Sequence, residues 1–341
     1  MKEEDYMRRC LDLALKAQGQ TYPNPMVGCV IVHNNEIIGE GYHQKAGEAH
    51  AEINAINAVR NPQLLAQSTI YVSLEPCAHY GKTPPCAEKL AQIGFKKVVI
   101  GALDSHKKVN GKGVQILQNA GIEVRTGILE KECRQINRRF FTFHQKNRPY
   151  IILKWAEAAD GFLDREFQPV QIGNPVTKQF VHELRSQEHA ILVGTTTAIN
   201  DNPSLTTRDI AGRNPIRILI DMDLKVPSTS EIFNEKAETV IFNGQKSGNE
   251  GNLTFIKIEV EELIDHVLTE LATRQIQSVI VEGGSFTLQQ FIDKNLWDEV
   301  IIIKNRKLNL RQGTSAPTFK DQKSDSHIFG QNVIEFYQNI Q

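Results

Sequence analysis

No apolar run in this 341-residue chain approaches the roughly 20 residues that a membrane-spanning helix needs. The opening stretch, MKEEDYMRRC, carries charges where a secretory leader would carry an apolar core. The expectation is a cytoplasmic protein with no membrane contact. Neither sign of charge is in excess: 39 Lys and Arg stand against 40 Asp and Glu, for a formal net charge of −1. That balance gives no electrostatic footprint for long nucleic acid, which favours a basic patch. A small anion held by a few arginines remains open. Cysteine is sparse. Five, an odd number scattered over the chain, do not form a disulfide framework. Cys29, in the apolar run VGCVIV, reads as a small buried hydrophobe. Cys10 and Cys133 fall in helix-like stretches without metal partners at useful spacing. There is no short repeat and no low-complexity tract.

What is present is a soluble composition, 40% hydrophobic and 23% charged. The length exceeds the roughly 250–300 residues at which single cores stop growing, so two domains are expected. The first part alternates helix and strand. EEDYMRRCLDLALKAQGQ has helical apolar spacing, and VGCVIV and EIIGEGY flank His33-Asn34-Asn35 as a hairpin. AHAEINAINAVR, CAEKLAQIGF and GVQILQNAG read as helices; TIYVSLEP, KKVVIGALD and IEVRTGI read as strands. One helix is expected over residues 130–147, leading to a boundary at Arg148-Pro149. The pattern then restarts. PYIILKWA, AILVG, IRILID, ETVIFN, FIKIEV, SVIVEGG and EVIIIK read as strands, with TKQFVHELRSQ, EELIDHVLTELATRQ and SFTLQQFIDKN as helices. Residues 243–252, NGQKSGNEGN, read as a polar surface loop. Strands alternating with helices place helices on the faces of a sheet, so the fold class is α/β in both domains, 1–147 and 148–341.

The chemistry concentrates in LEPCAHYGKTPPC. Cys77 and Cys86 lie either side of a loop stiffened by Pro84 and Pro85. A third ligand is available upstream, in GEAHAEINA, where His50 and Glu52 flank Ala51 near a helix start. His-x-Glu followed by Pro-Cys and a second Cys is the zinc nucleobase-deaminase signature, here with a longer spacer. Three protein ligands leave the fourth zinc position for water, as in catalytic sites. Both cysteines are placed at or just before helix starts, where a helix N-terminus stabilises thiolate. Two thiolates neutralise the zinc charge, so a nearby base gains importance. Glu52 is that base, taking a proton from the attacking water and delivering protons to the ring nitrogen and the leaving amine.

Each feature has a blander reading. Two cysteines at this spacing are more often incidental, and a histidine near a helix start is usually a polar capping residue. His79 is either a substrate contact or a loop residue packed on the prolines. The joint occurrence of HAE, a strand, EPC and PPC is what favours catalytic zinc. A non-catalytic zinc scaffold is opposed by Glu52 and by the lack of a fourth ligand. A nucleic-acid-acting deaminase with an accessory domain is opposed by the charge balance.

TYPNPMVGCVIV, GYHQKAGEAHAEINAI and LEPCAHYGKTPPCAEKL resemble the deaminase half of the bifunctional deaminase–reductases of riboflavin biosynthesis. The resemblance covers essentially the whole chain. It implies an N-terminal cytidine-deaminase-like α/β/α sandwich with one zinc on His50, Cys77 and Cys86 and with Glu52 as proton carrier. It implies a C-terminal dihydrofolate-reductase-like α/β domain that uses NADPH. Within LRSQEHAILVGTTTAINDNPSLTTR, Thr197 and Asp201 are implied cofactor contacts, and Arg185, Leu205 and Arg208 line the substrate site. VEGGSF gives Glu282 to the substrate, and Gly283, Gly284, Ser285, Phe286 and Thr287 to the cofactor phosphates. A strand, two glycines and a helix start do expose N–H groups at a positive helix end, although this run is not the GxGxxG fingerprint.

Several residues depart from the family pattern. Lys82 stands where arginine is usual, DSHKKVNGKG replaces a DPNP-type loop, and Ala158, Pro169 and Gln171 replace commoner serine and tryptophan. Lys154 and Asp160-Gly161 match, and a cofactor contact near Ala158 is expected through the main chain at Glu157. The implied substrate is a small phosphoribosylated pyrimidine, and a homo-oligomer, dimer or tetramer, is expected.

Overall fold

Asn34 and Asn35 both take left-handed φ, 49° and 65°. Asparagine tolerates that region, and two such residues in succession make the tight turn whose twist suits a hairpin. They join β1 (Gly28–His33) to β2 (Glu36–Tyr42), paired antiparallel. This hairpin opens a computed structural model that describes residues 2–80, 84–105, 110–208 and 210–339. The chain divides into two units, Met1–Asn147 and Arg148–Gln341.

In the first unit, α1 (Glu3–Leu15) precedes the hairpin, and α2 (Ala51–Asn57), β3 (Thr69–Leu74), α3 (Cys86–Ile93), β4 (Lys97–Ala102), α4 (Lys112–Asn119), β5 (Glu123–Thr126), α5 (Glu130–Ile136) and α6 (Arg138–Lys146) follow. Among the described residues the sheet order is β2-β1-β3-β4-β5, with β3, β4 and β5 parallel. Alternate side chains go to opposite faces of a strand, and the two cores follow that period. Val30, Val32, Tyr71 and Val99 pack under α1, α5 and α6, with Met7, Leu11, Cys133 and Phe141. Cys29, Ile31, Ile70, Val72, Val98 and Ile100 pack under α2, α3 and α4, with Ala51, Ala55, Leu90 and Leu117. This makes a three-layer sandwich. Gly41 allows α2 to lie directly on β2: a Cβ there would overlap the Ala51 carbonyl and the Ala55 amide. The helix that carries Glu52 is fixed by that close approach.

The single helix expected over 130–147 is two helices. The break is at Asn137, a buried residue whose side chain leaves the helix to bond the Met26 backbone, Oδ1 to N and Nδ2 to O, both at 2.8 Å. A polar side chain that satisfies a distant backbone costs one helical turn locally. Periodicity cannot register such a long-range partner.

The second unit contains β6 (Tyr150–Glu157), α7 (Pro175–Gln187), β7 (Ala190–Gly194), α8 (Thr195–Asn200), β8 (Ile216–Ile220), β9 (Thr239–Asn243), β10 (Gly248–Glu250), β11 (Leu253–Lys257), α9 (Leu263–Thr273), β12 (Ser278–Val281), α10 (Ser285–Asp293), β13 (Glu299–Asn305), β14 (Lys323–Phe329) and β15 (Asn332–Gln338). Among the described residues one ten-stranded sheet runs β10-β11-β9-β8-β7-β12-β6-β13-β15-β14. Its strands from β11 to β13 are parallel, and β10, β15 and β14 are antiparallel. Ile151, Leu153 and Trp155 of β6 pack beneath α9 and α10. Ile152 of the same strand faces Leu184 of α7 and Ala198 of α8.

Three sequence expectations are corrected here. FIKIEV is displaced, because the strand is Leu253–Lys257 and ends three residues earlier. The loop over 243–252 contains β10, which pairs Gly248 with Phe255. The hairpin of β14 and β15 and the six-residue α8 have no counterpart in the apolar pattern.

Candidate functional site

In the first unit, β3 ends at Leu74 and the chain continues through Glu75 and Pro76 to Cys77. Cys86 begins α3 after Pro85, whose φ of −60° suits the entry to a helix. His50 is the residue before α2, and Glu52 lies in its first turn. Three segments remote in sequence therefore deliver three donors to one point. His50 Nδ1 lies 3.3 Å from Cys86 Sγ and 3.6 Å from Cys77 Sγ. All three ligand atoms fall within 4.8 Å of one another. Zinc bonds of about 2.3 Å to sulfur and 2.0–2.1 Å to nitrogen give tetrahedral N···S edges of about 3.6 Å. The donor set and its spacing fit zinc.

One expectation about the thiols changes. Cys86 is at a helix start, but Cys77 is in the loop after β3. Its sulfur instead accepts the Cys86 backbone N–H at 3.2 Å, so the start of α3 serves both sulfurs. Cys77 is brought down to about 4 by hydrogen bonds from Cys86 and His50, and Cys86 is pushed up by its bond to that neighbour and by burial. Thiol ligands bind a divalent cation as thiolates, so a metal held here would displace their protons.

Glu52 is buried, 3% exposed. Burial raises its carboxyl above the ordinary value, and the Cys77 charge adds to the rise. A carboxyl shifted in that direction is suited to accept and return protons. His79 is exposed in the same loop. Lys82 and His106 to Val109 of DSHKKVNGKG lie outside the described residues.

His43 is a residue the sequence reading missed. It is buried at 2% exposure, and its ring meets the His50 ring edge-on with centroids 5.3 Å apart. Its Nδ1 faces the Ala49 carbonyl at 3.2 Å, so Nδ1 donates and Nε2 accepts from Asn24 Nδ2 at 3.1 Å. Burial lowers its pKa, which favours the neutral ring beside His50. The available signal was a histidine directly after the strand EIIGEGY and an asparagine shortly before the strand GCVIVH.

In the second unit a cleft of about 730 Å³ is lined by residues from β6, α7, α8, α10 and the intervening loops. Arg185, Thr197, Asp201, Leu205, Arg208, Glu282, Gly283, Gly284, Ser285 and Phe286 all line it. Thr287 and Glu157 are not among its lining residues. Thr287 packs behind the glycines, against the positions where Cβ atoms of Gly194 and Gly283 would sit. The Glu157 carboxylate accepts from Trp155 Nε1 at 2.8 Å and pairs with Lys304 at 2.9 Å. Pro169 and Gln171 line the cleft, while Ala158 is fully buried.

The sequence treated Arg185 and Glu282 as separate contacts. They are partners, with Arg185 Nη2 2.8 Å from Glu282 Oε2 and Lys154 Nζ 3.7 Å from the same oxygen. Burial would raise Glu282, but Arg185 and Lys154 outweigh it and hold the carboxyl at about 2. Burial lowers Lys154, against the opposing pull of Glu282. Arg208 is exposed, and its backbone N–H bonds His182 Nδ1 at 3.3 Å. Gly284 caps α10 with no side-chain hydrogen bond, leaving the first N–H groups of a nine-residue helix open to the cleft. Such a helix end fits the phosphates of a dinucleotide.

Family models match both units: the RibD C-terminal domain over residues 149–308, and the cytidine and deoxycytidylate deaminase zinc-binding region over residues 1–102. The riboflavin biosynthesis protein RibD of Aquifex aeolicus is 38% identical, with 98% of each chain covered. The chain belongs to the RibD family. It is a bifunctional enzyme of riboflavin biosynthesis, a deaminase that takes zinc and a reductase that uses NADPH. RibD of Escherichia coli K12 is 36% identical over 90% of this chain and 89% of its own. The solved diaminohydroxyphosphoribosylaminopyrimidine deaminase/5-amino-6-(5-phosphoribosylamino)uracil reductase of Thermotoga maritima superposes with a TM-score of 0.90 at 33% identity, covering 98% of both chains. RibD of Acinetobacter baumannii superposes with a TM-score of 0.89 at 31% identity, covering 99% of both.

Proposed function

We propose that residues 1–147 deaminate 2,5-diamino-6-(5-phosphoribosylamino)pyrimidin-4(3H)-one at its 2-amino group, and that residues 148–341 then reduce the ribosyl group to ribityl. The observation that carries this reading is the meeting of His50, Cys77 and Cys86 beside a buried Glu52, on the same chain as a cleft with a cationic wall and an open helix end.

In the deaminase, His50, Cys77 and Cys86 hold the metal. Zinc supplies Lewis acidity that makes a water molecule nucleophilic near neutral pH. Glu52 takes a proton from the attacking water and passes it to the ring nitrogen. It then takes the second proton, from the added hydroxyl, and delivers it to the departing amine, so water enters and ammonia leaves. His43, kept neutral by burial, holds its ring against His50 and limits the ligand's rotation.

In the reductase, Gly283, Gly284, Ser285 and Phe286, at the start of α10, receive the cofactor phosphates, with Thr197 and Asp201 beside them and Thr287 behind. Any contribution from Glu157 comes through its backbone, since its carboxylate is engaged elsewhere. NADPH supplies the hydride. Reduction leaves negative charge on a sugar oxygen, and Lys154, which lines the cleft and is lowered by burial, gives that oxygen a proton in this reading. Glu282 holds Lys154 and Arg185 in the cleft, and Leu205 forms its apolar side. Arg185 is already paired, so Arg208 is the cation for the substrate phosphate.

We place the reaction in the cytoplasm, on the kinship with the RibD relatives. The outer edge of β14, last in the ten-stranded sheet, supports assembly as a homo-oligomer, dimer or tetramer. The test is to add the diamino phosphoribosyl substrate to the zinc-loaded chain with NADPH. Ammonia release followed by loss of the nicotinamide absorbance is expected. Ammonia without NADPH oxidation, or neither, contradicts the reading.

A further inference from the structure

The residue before Pro76-Cys77 is a buried carboxylate that is not one of the three clustered donors. Glu75 is 4% exposed. Its Oε2 accepts backbone N–H groups from Asp104 at 3.2 Å and Gly111 at 3.0 Å. Its Oε1 accepts from Gly113 at 2.9 Å and Val114 at 3.3 Å. Gly113 and Val114 are the second and third residues of α4, whose cap residue, Gly111, has no side chain to offer. The first N–H groups of a helix have no partner within it. Here a carboxylate from a different strand supplies what Gly111 cannot, and negative charge at a helix N-terminus is favourable.

The contact has consequences for the metal ligands. Glu75 N donates to Ala102 O at 2.9 Å, fixing its backbone to the end of β4. Gly113 lies against the Pro76 carbonyl so closely that a Cβ at 113 would overlap it. On the other side, Ala87 N donates to Cys77 O at 3.1 Å and Cys86 N to Cys77 Sγ at 3.2 Å. The Pro76-Cys77 step is thus gripped between the N-terminus of α3 and the N-terminus of α4, and the second grip is Glu75.

We propose that Glu75 is a positioning residue for the zinc site. By capping α4 across the chain it fixes the backbone that aims Cys77 Sγ at His50 and Cys86. The inference rests on the deaminase reading above. Outer partners that orient metal ligands typically alter metal affinity 10- to 100-fold when removed.

The test uses the full-length chain and zinc itself, with a chelator competing for the metal below the unfolding temperature. Glu75→Gln keeps the shape but turns an NH2 toward two of the four N–H donors. Gly113→Ala pushes a Cβ into the Pro76 carbonyl and against the Glu75 side chain, so it disturbs the same grip from the α4 side. Both variants are expected to bind zinc about 10- to 100-fold more weakly, with native reductase kcat/KM. A residue that merely stabilised α4 would lower the unfolding temperature and leave zinc affinity untouched. Wild-type zinc affinity in both variants, whatever their melting temperatures, overturns the proposal. If Glu75→Gln does not fold, Gly113→Ala decides by the same readout. An unaltered chain that takes no stoichiometric zinc would overturn the deaminase reading as well.

Discussion

Replacing Glu282 by Gln removes one negative charge from between two cations. Its side chain is 9% exposed, with Arg185 at 2.8 Å and Lys154 at 3.7 Å. The carboxyl is held at about 2, against an ordinary 4.5. Lowering a pKa by that much in the folded state contributes about 3 kcal/mol to stability at neutral pH. Breaking a buried ion pair from one side costs roughly 3–5 kcal/mol by a separate route, because the remaining charge is stranded. The two figures agree, and Glu282→Gln is expected to destabilise the second unit by about 3 kcal/mol at pH 7. The sign with pH is fixed. A depressed carboxyl stabilises fully above about 4.5 and loses its contribution as pH falls toward 2. The gap between wild type and variant should therefore close on acidification. The chain has two tryptophans, Trp155 and Trp297, both buried in the core of this unit. Tryptophan emission during urea unfolding reports this unit alone. A variant within about 0.5 kcal/mol of wild type at pH 7, or a gap that does not narrow with acid, would refute the reasoning.

Two further substitutions separate the sites. Cys86→Ser should leave less than one zinc per chain and abolish deamination, since a hydroxyl is a poor zinc ligand; metal analysis showing full zinc with a normal deaminase rate would remove Cys86 from the ligand set. Arg208→Met should lower reductase kcat/KM by about 10- to 150-fold, the worth of a charge-assisted hydrogen bond of about 1.5–3 kcal/mol, with deaminase kinetics and zinc content unchanged. Unchanged reductase kinetics would return Arg208 to the surface, and an equal loss in both activities would indicate misfolding.

What the sequence disclosed depends on how local each signal is. The hairpin through Asn34-Asn35 is two residues of turn chemistry between apolar runs, and it is legible. The three donors that meet in the first unit are legible as a group because His50 lies in an HAE run and because Cys77 and Cys86 each follow a proline. Asn137 broke the expected helix through a partner 111 residues away. β14 is exposed along nearly its whole length, so KSDSHIF shows no buried alternation. The six residues of α8, TTTAIN, are mostly β-branched or polar and are held by their place after β7 rather than by propensity. Arg185, Lys154 and Glu282 come from α7, β6 and the end of β12, so only the assembled sheet shows them as one group. Glu75 reads as an ordinary residue of a motif until its four N–H partners from 104–114 are in place.

The central claim is two independent chemistries on one chain, and Glu52→Gln tests it most directly. Glutamine keeps the shape of Glu52 but cannot accept and return a proton. The variant should retain one zinc per chain and lose deamination by at least the roughly 10²–10⁴-fold that a positioned acid–base group supplies. Given the deaminated intermediate, it should still oxidise NADPH at the wild-type rate. Normal deamination, or loss of both activities in a folded and zinc-loaded chain, would contradict the account.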